Sequence, residues 1–169
     1  MSNMKQLSRE TLEEMLVDFA KNWLAHDGLW FQVVEKKYGM DAAIEADTDA
    51  WDKFTVIEAK RIMARHNIPE NSGLEGLKKA LGLRLYAFIN TQVIGNETEN
   101  SFEFYMTDCR VQSARKRKQM PLFPCKSVGI VEYTNFAKTI DPRIKTECIC
   151  CPPDPEAGEK YYCGWRFSI

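Results

Sequence analysis

Apolar positions repeat at helical spacing from the start of the chain. Leu12, Met15, Leu16, Phe19 and Trp23 share one stripe, and Ser8 is placed to accept from a free N–H of the first turn. Gly28 predicts a stop, because glycine adopts the left-handed cap conformation at little cost. A second short helix is expected over 29–38, with Trp30, Val33, Val34 and Tyr38 on one face and Gly39 at its end. Asp41 opens a longer helix carrying Ile44, Trp51, Phe54, Ile57 and Ile62, which ends before Pro69. A fourth helix begins at Ser72 or Gly73 and runs through Leu74, Leu77 and Leu81. The following stretch, LRLYAFINTQVI, reads equally well as helix or strand.

The texture changes after residue 95. GNETENS makes a turn, and SFEFYMTDCRV alternates, with Phe102, Phe104 and Met106 on one side of a half-buried strand. VQSARKRKQM (111–120) reads as a basic helix, interrupted by Pro121 and Pro124, and another helix is expected over 128–139. Residues 143–151 and 161–169 form the arms of a C-terminal β-hairpin joined by PPDPEAGEK. These elements predict an α+β fold in a single domain over 1–169. Its N-terminal helical layer, about residues 1–90, packs on a small antiparallel sheet within a cysteine-rich part over 95–169.

Composition narrows the class. The chain has 169 residues, 44% hydrophobic and 11% aromatic, enough to build a core. A formal net charge of -1 gives no general attraction to nucleic acid or to a membrane surface. The apolar runs are far shorter than the ~20 residues a membrane span needs, and MSNMKQLSRE lacks the apolar stretch of a signal peptide. The expectation is a cytoplasmic protein with a small-molecule ligand and no nucleic-acid or membrane partner; a homodimer is compatible with the sequence. All six cysteines, Cys109, Cys125, Cys148, Cys150, Cys151 and Cys163, lie in the last third. In a reducing compartment they read as thiols, metal ligands or a nucleophile rather than disulfides.

Four constellations carry candidate chemistry. Cys109, Cys125, Cys151 and Cys163 are a candidate metal set, and zinc is the cofactor it would suit, although the two CxxC pairs of a zinc ribbon are missing. Strand alternation puts Cys148 and Cys150 on one face and Cys151 on the other; buried structural thiols are the plain alternative. Cys109 and Cys125 each stand before a helix, where the helix dipole and neighbouring cations favour a thiolate, so both are candidate nucleophiles. His26, beside Trp23 and Trp30, is the candidate base, against the simpler role of a residue facing the last carbonyls of its helix. Glu58 shares a helical stripe with Trp51 and Phe54, which makes it a candidate general acid or base; a salt bridge to Arg61 or another arginine is the alternative. The run Arg115–Lys118 reads as a solvated face, with Arg110 and Arg115 available to hold an anionic group. Trp30, Trp51 and Phe54 complete one wall of a ligand pocket.

The chain resembles an uncharacterised family of prokaryotic cytosolic proteins along its length, from HDGLWF and the Trp51 helix to the CRVQ, FPCKSVG, CPPD and CGWRF segments of its C-terminal half. More distantly that half is similar to the L-2-amino-thiazoline-4-carboxylic acid hydrolase-like family, in which two cysteines and a closing Cys-x-Phe strand match Cys109, Cys125 and Cys163. Trp165 replaces the final phenylalanine, and Glu159 and Lys160 stand where that family has Gly-Asp. The closing strand also looks like the four-vinyl-reductase small-molecule-binding domain, in which cysteines hold zinc. The hydrolase resemblance implies opening of a C–N bond in a small cyclic amidine-like ring, with Cys109 or Cys125 as nucleophile and Arg110 or Arg115 on a substrate carboxylate. The vinyl-reductase resemblance implies a non-catalytic ligand sensor, and a zinc-stabilised structural module is the further alternative.

Overall fold

The computed structural model describes residues 4–169. Helix α1 (Arg9–Tyr38) starts as the sequence predicts: the Ser8 side chain accepts from the Thr11 N–H at 3.1 Å. It does not stop at Gly28. The helix runs through that residue to Gly39, which ends it with φ 91°. A glycine inside a helix costs only about 1 kcal/mol relative to alanine, and the apolar positions on both sides of Gly28 continue the same helical repeat. Helix α2 (Met40–His66) follows at once and is closed by Asn67 in the left-handed conformation. Helix α3 is Gly73–Leu81.

The ambiguous stretch resolves into a 3-10 turn (Leu85–Phe88) and then strand β1 (Thr91–Gly95). Strand β2 (Ser101–Asp108) leads into the basic helix α4 (Arg110–Arg117), and helix α5 is Lys126–Ile140. Strands β3 (Lys145–Cys150) and β4 (Cys163–Ser168) form the expected hairpin. The four strands make one antiparallel sheet in the order β1-β2-β4-β3.

One sheet face is apolar because Phe102, Phe104 and Met106 of β2 and Trp165 and Phe167 of β4 all point to it. They pack on Tyr133, Phe136, Ala137 and Ile140 of α5 and on Ala59, Ile62 and Met63 of α2. The fold is therefore α+β, as expected, with α5 the helix laid directly on the sheet. Gly129 permits this close approach: a methyl group there would lie 2.8 Å from Trp165 Cζ2. A second cluster, around Leu24, Trp51, Tyr86, Phe123 and Val128, joins α1 and α2 to the segment before α5.

Candidate functional site

Between these two clusters lies a cavity of about 390 Å³, within the size range of small-molecule sites. Trp51 of α2 and Tyr86 of the 3-10 turn form one aromatic wall, stacked with ring centroids 6.0 Å apart. Tyr133 and Trp165, stacked at 4.7 Å, form another. Cys109, Cys125, Cys151 and Cys163 all line the cavity as well. Helix α4 closes one side with Arg110 and Gln112. Gln112 is buried and pins the loop before α5: its amide donates to Phe123 O at 2.8 Å and accepts from Phe123 N at 3.0 Å. It also donates to Cys125 Sγ at 3.4 Å. Among the described residues, the indole N–H of the buried Trp165 has no hydrogen-bond partner.

The sulfur atoms are gathered around Cys151. Its Sγ lies 3.6 Å from Cys125 Sγ, and Cys148 and Cys163 stand near enough to raise its titration. A register shift between Cys148 and Cys150 makes this possible: Cys148 pairs with Trp165, whereas Cys150 pairs with Gly164. The extra residue of the bulge puts Cys148 and Cys150 on opposite faces, which corrects the simple alternation expected from sequence. Cys148 and Cys151 thus form one Cys-x-x-Cys pair. The following CPPD segment is held by Asp154, which accepts from Cys151 N–H at 3.1 Å and pairs with Lys126 at 2.8 Å.

The environment sorts the thiols. Burial pushes the Cys109 thiol up to about 12, against the opposing pull of the Gln112 and Val111 backbone amides. Desolvation therefore outweighs the helix N-terminus, and the thiolate expected at Cys109 does not form at neutral pH. Cys151 is also strongly raised, chiefly by its bonds to Cys125, Cys148 and Cys163. Cys148 moves the other way: a hydrogen bond from Cys151 lowers it, with help from the Lys126 ammonium. Alkylation of the folded protein near pH 7.5 is expected to label Cys148 first, and Cys148→Ser is expected to remove that phase, slowing the first event about tenfold or more. Peptide mapping that finds Cys109 or Cys151 labelled first would refute this order.

Three carboxyl groups reach the cavity: Asp27, Asp47 and Glu132. Burial, with Asp27 and Glu132 nearby, pushes Asp47 up to about 7, and a Trp51 hydrogen bond only partly opposes it. Burial also raises Glu132 and Asp27. Behind this wall lies Arg84, 1% exposed. Its Nε donates to Glu58 Oε2 at 2.9 Å, and its Nη1 lies 2.7 Å from Glu132 Oε1. The rings of Trp51, Tyr86, Tyr133 and Phe136 surround the guanidinium at 4.6–5.7 Å.

Several expectations need correction. For Glu58 the salt-bridge alternative holds, with Arg84 as the arginine, and the acid–base role does not, since Glu58 is buried away from the cavity wall. His26 is exposed in the middle of α1, outside the cavity, so it faces no helix end and completes no cysteine–histidine pair there. Trp30 is 63% exposed, and Phe54 packs on Trp23 and Trp51; neither lines the cavity. Arg115 does line it, but its guanidinium is committed to Glu35 by two bonds of 2.8 and 2.9 Å. Among the described residues, no three His, Cys, Asp or Glu side chains stand together as a metal-ion ligand set. The expected zinc set of Cys109, Cys125, Cys151 and Cys163 shares a cavity wall without forming a cage. Asp47 and Glu132 were missed, although each sits four residues from an apolar position on its helix face: Asp47 before Trp51, Glu132 after Val128.

These features define an α+β protein with a solvent-open cavity lined by aromatic, acidic and sulfur-bearing side chains. The chain belongs to DUF6125, a family of unknown function, whose model matches residues 5–169. No curated protein matches the chain. No helix among the described residues is long and apolar enough to cross a membrane.

Proposed function

We propose that this chain binds a compact, nitrogen-bearing small molecule in the cavity, with an amidine-like ring as the best chemical match. The observation that carries the reading is the pairing of aromatic faces with carboxyls in one cavity: half-buried Asp47, without an ion-pair partner among the described residues, with Trp51 and Tyr86, and Glu132, whose charge Arg84 already balances in part, with Tyr133 and Trp165. A planar ring stacks on such faces, and its N–H groups or positive charge satisfy carboxyls that burial otherwise penalises. Arg110 also lines the cavity and has no ion-pair partner among the described residues, so it is the group to hold a ligand carboxylate.

A second reading, hydrolysis of the ring C–N bond, is favoured by the position of Asp47. With a carboxyl near 7 it serves as a general base at neutral pH. Water oxygen bonds to the amidine carbon and its proton passes to Asp47. The C–N bond then breaks as that proton is returned to the departing nitrogen. Cys109, a neutral thiol in this setting, is not the nucleophile of this scheme.

Trp51 and Trp165 make the ligand visible. Benzamidine and 2-aminothiazoline-4-carboxylate are expected to quench tryptophan fluorescence saturably and to raise Tm, while benzoate does neither. Equal responses to benzamidine and benzoate, or none to either cationic probe, would overturn the binding reading. Mass spectrometry of the 2-aminothiazoline-4-carboxylate incubation reads hydrolysis separately, as the gain of one water.

A further inference from the structure

Helix α1 is 30 residues long, yet only Ala20 and Leu24 are buried along it. Its large apolar side chains are exposed to an unusual degree: Leu16 is 53% exposed, Phe19 61%, Trp30 63% and Val33 45%. These positions are not scattered. With Leu12, Trp23, His26 and Lys37 they advance by alternating steps of four and three residues, the seam spacing of a coiled coil. Between α1 and α2 the same seam borders a groove of about 310 Å³, where Trp23, His26, Trp30 and Val34 face Ala43, Ala46 and Ala50. The small side chains of α2 leave room for bulky ones from another molecule.

We infer that α1 pairs antiparallel with α1 of a second copy of this chain. The seam is self-complementary in that orientation, and charge decides against the parallel one. Reversing one helix sets Leu16 against the partner's Val33, Phe19 against the partner's Trp30, and Trp23 against the partner's His26, so every layer joins two seam positions. Charge favours the same arrangement. Glu10, Glu13 and Glu14 occupy the first turns of α1, and Lys36 and Lys37 the last. An antiparallel pair brings the acidic end of one helix to the basic end of the other, whereas a parallel pair stacks the acidic ends together. Four exposed apolar side chains, in the pairs Leu16–Phe19 and Trp30–Val33 on either side of the half-buried Trp23, are also the sort of patch that monomers seldom leave in water. The inference is independent of what the cavity binds, since Leu16, Phe19, Trp30 and Val33 do not line it.

Sedimentation equilibrium of the full chain tests the pairing. The wild type is expected to be a dimer at micromolar concentration. Phe19→Glu with Trp30→Glu should raise the dimer dissociation constant at least about 30-fold, with an unchanged far-UV circular dichroism spectrum. Orientation is read with two single variants, Phe19→Cys and Trp30→Cys, under diamide. A disulfide-linked dimer should form when the two are mixed and not from either alone. A monomeric wild type across the concentration range, or Phe19→Cys cross-linking to itself, would overturn the inference.

Discussion

Arg84→Met is expected to destabilise the protein by about 3–5 kcal/mol, a large share of the stability of an ordinary domain. The guanidinium is 1% exposed and is the cation next to two buried carboxylates, Glu58 at 2.8–2.9 Å and Glu132 at 2.7 Å. Removing it leaves both acids desolvated, with Asp27 adding like charge at Glu132. Methionine fills much of the volume between the four rings, so the loss is electrostatic rather than a cavity effect. Burial already holds Glu132 above the ordinary carboxylate range even with Arg84 present. A raised native value stabilises the fold at low pH, and that contribution is lost as pH rises through it. The variant should therefore regain stability on acidification more steeply than the wild type. Adding Glu58→Gln and Glu132→Gln to Arg84→Met should restore most of the loss, since neutral groups need no counter-ion. Urea denaturation at pH 5.5 and pH 8 reads all three effects. A single-variant loss under about 1 kcal/mol would show that the ion pairs add little to the fold.

Much of this architecture is legible in the sequence because it rests on short-range regularities. Alternation at Phe102, Phe104 and Met106 and again at Trp165 and Phe167 marks the two strands that carry the core. The Ser8 cap and Gly39 mark the true ends of α1. Gly28 misleads because its signal is local, whereas the helix is set by apolar contacts on either side. The site was readable in part. The gathering of Cys109, Cys125, Cys151 and Cys163 at one cavity follows from strand and helix ends that the sequence reveals. Cys148 was misplaced because a bulge leaves no mark in a period-two pattern. The sequence offers His26 for its aromatic neighbours, Trp30 as an aromatic of the N-terminal layer and Phe54 for the stripe it shares with Trp51, yet which side of α1 or α2 faces the cavity depends on tertiary packing. The identity of the arginine beside Glu58 was beyond sequence, since Arg84 lies 26 residues away in a segment readable as helix or strand.

Asp47→Asn is expected to stabilise the free protein and to abolish its selectivity for cationic rings. Burial is the main reason the Asp47 carboxyl is pushed up to about 7, with Asp27 and Glu132 contributing. The native value lies above the unfolded one, so the contribution of Asp47 to stability is fully present below the ordinary carboxylate value and disappears as pH rises through about 7. Above that pH the native state carries a partly buried charge that the unfolded chain keeps in water. Because Asp47 is partly open to solvent, screening reduces the penalty to about 1–2 kcal/mol at pH 8. Asparagine removes it while keeping size and hydrogen-bonding capacity. The Tm difference between variant and wild type should be positive at pH 8 and shrink toward zero near pH 4. In the same variant, benzamidine affinity should fall at least about tenfold, and any hydrolysis of 2-aminothiazoline-4-carboxylate should cease. A stabilised variant that still binds benzamidine normally would separate the two effects and remove Asp47 from the site. A variant that loses stability at pH 8 would show that the charge is solvated, not buried. Gain of stability together with loss of binding is the outcome that ties the raised carboxyl to ligand recognition, because the residue then opposes folding in the absence of the molecule it serves.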